Sequence, residues 1–188
     1  MDINGTCQRR EFLTRAGGFA ALSIFGTTGV AADNSPEPAR RVVTGVNSSG
    51  ESVIVSDGPV PETARYSTPG EGKGIGCDLW VEKAVPVDIS DQSDPIDDYA
   101  VQMWPPPGGV IVRMITWQPG VSYSMHRSNT IDFAFIISGQ LELILEDGST
   151  VLGPGDCLVQ RGTNHAWRVV GTEPCTFAGV LLSAEAGE

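Results

Sequence analysis

The sequence predicts an all-β chain, an antiparallel barrel or jelly roll preceded by extension strands. Its 188 residues include 23 glycines and 13 prolines, and these turn formers separate short apolar runs throughout the second half. With 40% hydrophobic residues there is enough for one modest core. Only two histidines occur, His126 and His165, each inside a glycine-bounded stretch of that second half.

From residue 110 the predicted strands follow one another closely: Val110–Trp117, Ser122–His126, Ile131–Ile137, Gln140–Glu146, Ser149–Leu152, Asp156–Gln160, Ala166–Val170 and Thr176–Leu182. Pro119-Gly120, Ser138-Gly139, Asp147-Gly148, Pro154-Gly155 and Gly171-Thr172 turn the chain between them. Eight short strands at this spacing suit closure, which hides most strand edges. Upstream, Arg41–Gly45 and Ser52–Val55 read as strands split by the Asn47-Ser48-Ser49-Gly50 turn, and Leu79–Val81 as another. Gly70–Gly76 is too irregular for a phosphate-binding loop. The stretch Asp88–Asp98, with five aspartates, reads as a solvated loop whose acid spacing fits no known calcium loop.

The N-terminus reads as a targeting segment. Gln8-Arg9-Arg10-Glu11-Phe12-Leu13-Thr14 is close to the twin-arginine pattern, and a mildly apolar run ends in Val30-Ala31-Ala32, a small-residue cleavage pattern. This divides the chain into a signal over 1–32, an extension over 33–107 and a barrel over 108–184. It implies export to a periplasmic or extracellular space; the alternative is a cytoplasmic protein with an N-terminal extension. A formal net charge of -11 argues against a nucleic-acid partner, since phosphate binding needs a basic face, and disfavours anionic membranes. No later apolar run is long enough to span a bilayer. Cys77, Cys157 and Cys175 remain after the signal; the readings are one Cys157–Cys175 disulfide or buried structural thiols.

The site argument begins at Gly120–Gly139. On a straight strand His126 and Asp132 would lie about 20 Å apart. The polar run Ser128-Asn129-Thr130 is turn-forming; if the chain folds back there, the two side chains point into one space. A second folded-back pair could bring His165 alongside. Two imidazoles and a carboxylate then make a three-ligand face suited to Fe(II), Mn(II), Ni(II) or Zn(II). Trp167 shares the face of His165 by strand alternation, and Tyr123 precedes His126 by three. Arg113 lies in an otherwise apolar strand and must reach solvent, an acid or a ligand carboxylate.

These residues resemble the cupin superfamily, whose first motif runs G-x5-H-x-H-x3/4-E-x6-G and second G-x5-P-x-G-x2-H-x3-N. Gly120, His126 and Gly139 match the first; Asp132 stands for the Glu and Ser128 for the second His. Gly155, Gly162 and His165 match the second, one residue short before Gly162, with Gln160 and Arg161 near the missing Pro and Val169 for the Asn. The resemblance covers about the last eighty residues. It implies a single-domain cupin barrel, with metal on His126, Asp132 and His165, and a small organic acid or aromatic ligand near Ser128, Trp167, Tyr123 and Arg113. It also implies a homodimer. Dioxygenase, decarboxylase, isomerase and dehydratase chemistry all fit it, as does a binding or sensing barrel that has lost its metal.

Overall fold

The computed structural model describes residues 38–68 and 74–185. The predicted signal and the Gly-rich stretch at 70–73 lie outside the described residues.

Among the described residues the chain forms twelve strands, all paired antiparallel, and one 3-10 turn, Glu62–Ala64. Strands β1 (Arg40–Val46) and β2 (Ser52–Pro59) form a hairpin. Strands β3 (Arg65–Ser67), β4 (Gly74–Glu82), β5 (Val110–Trp117), β7 (Thr130–Ser138), β10 (Cys157–Arg161) and β12 (Cys175–Ser183) form a six-stranded sheet in the order β10-β7-β12-β5-β4-β3. Strands β6 (Ser122–His126), β8 (Gln140–Leu145), β9 (Gly148–Leu152) and β11 (His165–Val170) form a four-stranded sheet in the order β6-β11-β8-β9. All eight predicted barrel strands are present. The barrel is built as two facing sheets, and β4 runs well beyond the predicted Leu79–Val81.

The sheets face each other because each strand alternates. On β5 the inward residues are Ile111, Arg113, Ile115 and Trp117; on β12 they are Phe177, Gly179 and Leu181. Trp117, Ile136 and Phe177 from the larger sheet meet Val121, Leu141 and Val169 from the other side in one core cluster. A second cluster, Val60, Ala64, Cys77, Val81, Ile96 and Ile111, seats the extension on the barrel. Gly139 closes the β7–β8 hairpin at φ +72, and a Cβ there would lie 2.3 Å from the Pro174 carbonyl oxygen. Only glycine fits that position.

The acidic loop differs from its sequence reading. Asp88 and Asp91 cap local turns at Ser90 and Ser93. Asp94, however, takes both prongs of Arg41, at 2.9 and 2.6 Å, with both side chains largely buried. This pair clamps the β1–β2 hairpin to the loop, a fork geometry that only arginine provides. The cysteines are free thiols: Cys77 and Cys175 are buried, and Cys157 is exposed. Neither the disulfide nor a buried Cys157 is present.

One buried network joins the extension to the barrel. Asp78 on β4 is fully buried and stands directly opposite Arg113 on β5. Arg113 Nε lies 3.0 Å from Asp78 Oδ1, an ion pair off the line of a hydrogen bond. The Tyr99 hydroxyl donates to Asp78 Oδ2 at 2.9 Å, and the Tyr66 hydroxyl lies 3.3 Å from Oδ1. Arg113 also donates to the carbonyls of Gln102 at 2.9 Å and Met103 at 3.2 Å. Burial pushes the Asp78 carboxyl above its ordinary range, opposed by the Arg113 charge and the two tyrosine hydroxyls. Burial and the Asp78 charge push Tyr99 up to about 12.

Two outcomes follow from these pairs. Arg113→Met strands a buried carboxylate and is expected to remove roughly 3–5 kcal/mol of unfolding free energy in urea. Adding Asp78→Asn should return part of that loss; strictly additive losses would show that the two groups do not interact. For Asp94, burial raises the carboxyl, but Arg41 and the Ile96 amide outweigh it, and the folded value falls below 3.8. Its contribution is therefore present above pH 3.8 and lost as pH falls through the lowered folded value. Asp94→Asn should cost about 1–3 kcal/mol at pH 7 and make the acid loss of stability shallower. An unchanged acid profile would exclude this clamp.

Candidate functional site

The two histidines meet. The β6–β11 register places His165 opposite His126, and their ring centroids are 4.1 Å apart. Each ring is fixed through Nδ1, 2.9 Å from the carbonyl oxygen two residues earlier: Ser124 for His126, Thr163 for His165. A carbonyl can only accept, so each Nδ1 carries a proton, and in the neutral ring Nε2 is then the nitrogen that keeps its lone pair. Burial lowers the His165 pKa below 6.5; the Thr163 carbonyl opposes this and the neighbouring His126 adds to it. His165 is thereby held neutral, with a nitrogen acceptor in the cavity wall.

A register shift in the β6–β11 ladder does the positioning. Trp167 pairs with Tyr123 and His165 with His126, so three steps on β6 oppose two on β11. This bulge turns Tyr123 and His126 to the same face, which strict alternation forbids. The rings then make a continuous wall. Tyr123 meets His126 edge-on at 4.3 Å, Trp167 meets His165 edge-on at 5.3 Å, and Trp104 stacks on His126 at 6.4 Å. Trp117 links Tyr123 to Phe177 behind them.

Asp132 comes from the opposite sheet. It sits on β7, paired with Gln160 of β10 and Leu181 of β12, across a cavity of about 460 Å³ from the histidines. Burial raises its pKa, while Thr130 and the charges of Arg113 and His126 pull it down. Its Oδ1 is buried with no partner, and so is Oε1 of Gln160. The rest of the wall is mostly aromatic and aliphatic, including Met103, Ile115, Leu158 and Leu181.

Of the other predicted site residues, Tyr123, Trp167 and Arg113 line this cavity. The Arg113 guanidinium is tied to Asp78 and to the 102–103 carbonyls, so it reaches an acid of the protein itself. Ser128 is buried away from the lining, its hydroxyl 2.7 Å from that of Thr130.

As a metal face, the imidazole pair has the right donors, and the carbonyls of Ser124 and Thr163 hold both rings in orientation. The third place is not filled. Among the described residues no three His, Cys, Asp or Glu side chains converge closely enough to hold one ion. Asp is one methylene shorter than Glu, and from β7 it stops short of the pair.

The sequence reading missed Trp104, Gln160, Tyr66 and Asp78. Gln160 carried a signal: it is a polar residue two positions from Leu158, on the inward phase of an apolar strand. Trp104 carried none, since it comes from a loop and meets His126 only through tertiary packing.

Comparison with known proteins agrees with this geometry. A Cupin domain family model matches residues 113–182. Phomopsin biosynthesis cluster protein C' of Diaporthe leptostromiformis is 41% identical over 88 residues, covering 44% of this chain and 47% of that one. This chain thus spans about half the length of the phomopsin-cluster relatives it matches. Cupin-domain-containing oxidoreductase srdD of Neurospora crassa is 35% identical over 153 residues, 77% of this chain and 75% of that one. Cupin-domain-containing oxidoreductase fogC of Aspergillus ruber is 31% identical over 149 residues, 76% and 71%. With two facing antiparallel sheets, paired motif histidines and relatives matched over 71% and 75% of their length, the chain belongs to the cupin superfamily.

Proposed function

We propose that this protein is a cupin oxidoreductase of small-molecule biosynthesis, acting on a small, largely apolar organic substrate held between the two sheets. The observation that carries the reading is the histidine pair: both Nδ1 atoms are anchored to carbonyls, which leaves both Nε2 lone pairs on one cavity wall. The names of the matched relatives support the reaction class. Tyr123, Trp167 and Trp104 flank the pair and suit a flat ring, while Met103 and Leu158 exclude water around it.

A divalent metal fits His126 and His165, with Asp132 facing them across the cavity; when bound it would polarise a substrate oxygen. The unfilled third place favours a second reading, a binding barrel without turnover. Metal per chain distinguishes the two. After exposure to Fe(II), Mn(II), Ni(II) and Zn(II), wild type should retain metal and His165→Ala should lose it, with a melting temperature within a few degrees of wild type. Wild type that retains no metal and turns over no aromatic substrate in a screen would leave the binding barrel.

The Arg9-Arg10 segment supports export. Residues 1–40 fused to a reporter active only outside the cytoplasm should give activity, and Arg9→Lys with Arg10→Lys should abolish it. Equal secretion by the double variant would remove the twin-arginine route.

A further inference from the structure

We propose that the outer face of the six-stranded sheet, across β10, β7, β12 and β5, is an interface on which a second copy of this chain docks by two-fold symmetry.

The inner face of this sheet lines the cavity through Asp132 and Ala134 of β7, Leu158 and Gln160 of β10 and Gly179 of β12. The alternate positions therefore point away from the cavity. In an antiparallel sheet whose second face meets water, those positions are polar. Here they are apolar. Register sets them in cross-strand rows: Val159, Phe133, Val180 and Val112 in one, and Cys157, Phe135, Ala178 and Met114 in the next. Phe135, Ile137 and Val159 stay 46, 50 and 52% exposed, so the described residues leave this side of the face open. Arg161 is the one charged residue among the outward positions of the four strands, in a chain with 23 acidic and 12 basic residues.

The chain itself covers one end of the same face. Val60 and Ala64 of the extension pack with Cys77 of β4, which stands beside Met114 at the end of the second row. Beyond Met114 the rows run on across β12, β7 and β10 without such cover. An open apolar patch of this extent on a folded chain marks an interaction site.

Size and charge favour a second copy as the occupant. Four strands about 4.8 Å apart and six steps of about 3.3 Å enclose roughly 400 Å² of flat apolar surface. That is the scale of the apolar core of a stable dimer, which with its polar rim takes about 800 Å² per partner. At a net charge of -11 two copies repel over most of their surfaces, and this acid-free face is where they can approach. A two-fold axis lays the rows of one sheet on those of the other as aligned sheets pack, so one apolar pattern serves both sides. An anionic lipid surface fits less well, since a single arginine provides no basic rim for headgroups.

Sedimentation of the full-length protein tests the face. Wild type should be a dimer above about 10 μM, where an interface of this size is occupied. Phe135→Glu puts one carboxylate from each copy into the buried centre and should raise the dissociation constant at least about hundredfold, with the circular dichroism spectrum unchanged. Val151→Glu, on exposed β9 of the other sheet, should leave the dimer intact. Alkylation of Cys157, the exposed thiol at the open end of the second row, read by peptide mass, should slow several-fold as wild type passes from monomer to dimer. Wild type that stays monomeric, whether free or co-sedimenting with phosphatidylcholine vesicles, would overturn the proposal. So would a dimer that survives Phe135→Glu, one that dissociates on Val151→Glu, or a Cys157 rate indifferent to dimerisation. The alkylation result stands even if Phe135→Glu does not fold.

Discussion

The buried Asp78–Arg113 pair is the constraint on which the rest of this molecule depends. A carboxylate with no solvent contact is tolerable only if its charge and its lone pairs are both met. Arg113 meets the charge, and Tyr66 and Tyr99 approach the oxygens. That requirement locks β4 to β5 in register. The N–H groups of Arg113 turned away from Asp78 hold the carbonyls of Gln102 and Met103, and so set the segment that carries Trp104 against His126. One ion pair thus aligns the sheet, seats the extension and shapes one wall of the cavity.

The same pair determines the cavity's chemistry. With Arg113 engaged by Asp78 and both imidazoles held through Nδ1 by carbonyls, the cavity's polar side chains are tied largely to the protein itself. They form two poles. The histidine nitrogens stand on the four-stranded sheet, and the Asp132–Gln160 oxygens stand on the six-stranded sheet. A mostly apolar lining separates the two. Polar groups facing each other from opposite sheets are an arrangement that a two-layer barrel provides without any loop insertion.

The sequence by itself determined the strands of the barrel, because their turns depend on local backbone needs. Gly139 needs a positive φ, and the short polar run at Ser128-Asn129 carries the chain from one sheet to the other. It also determined that His126 and His165 share a site, since both fall on spaced motif positions of neighbouring strands. Only the tertiary structure decided the rest. Asp94 looked solvated until Arg41, far away in sequence, was folded against it. Arg113 looked free for a ligand until β4 placed Asp78 opposite. Ser128 turned to Thr130, and Asp132 arrived on the sheet facing the histidines. These outcomes depend on which strand lies beside which, and on one bulge in β6 that rotates His126 into line with Tyr123. Sequence periodicity reports the face a residue takes within its own strand. What stands opposite that face is set by long-range pairing, which no local pattern encodes.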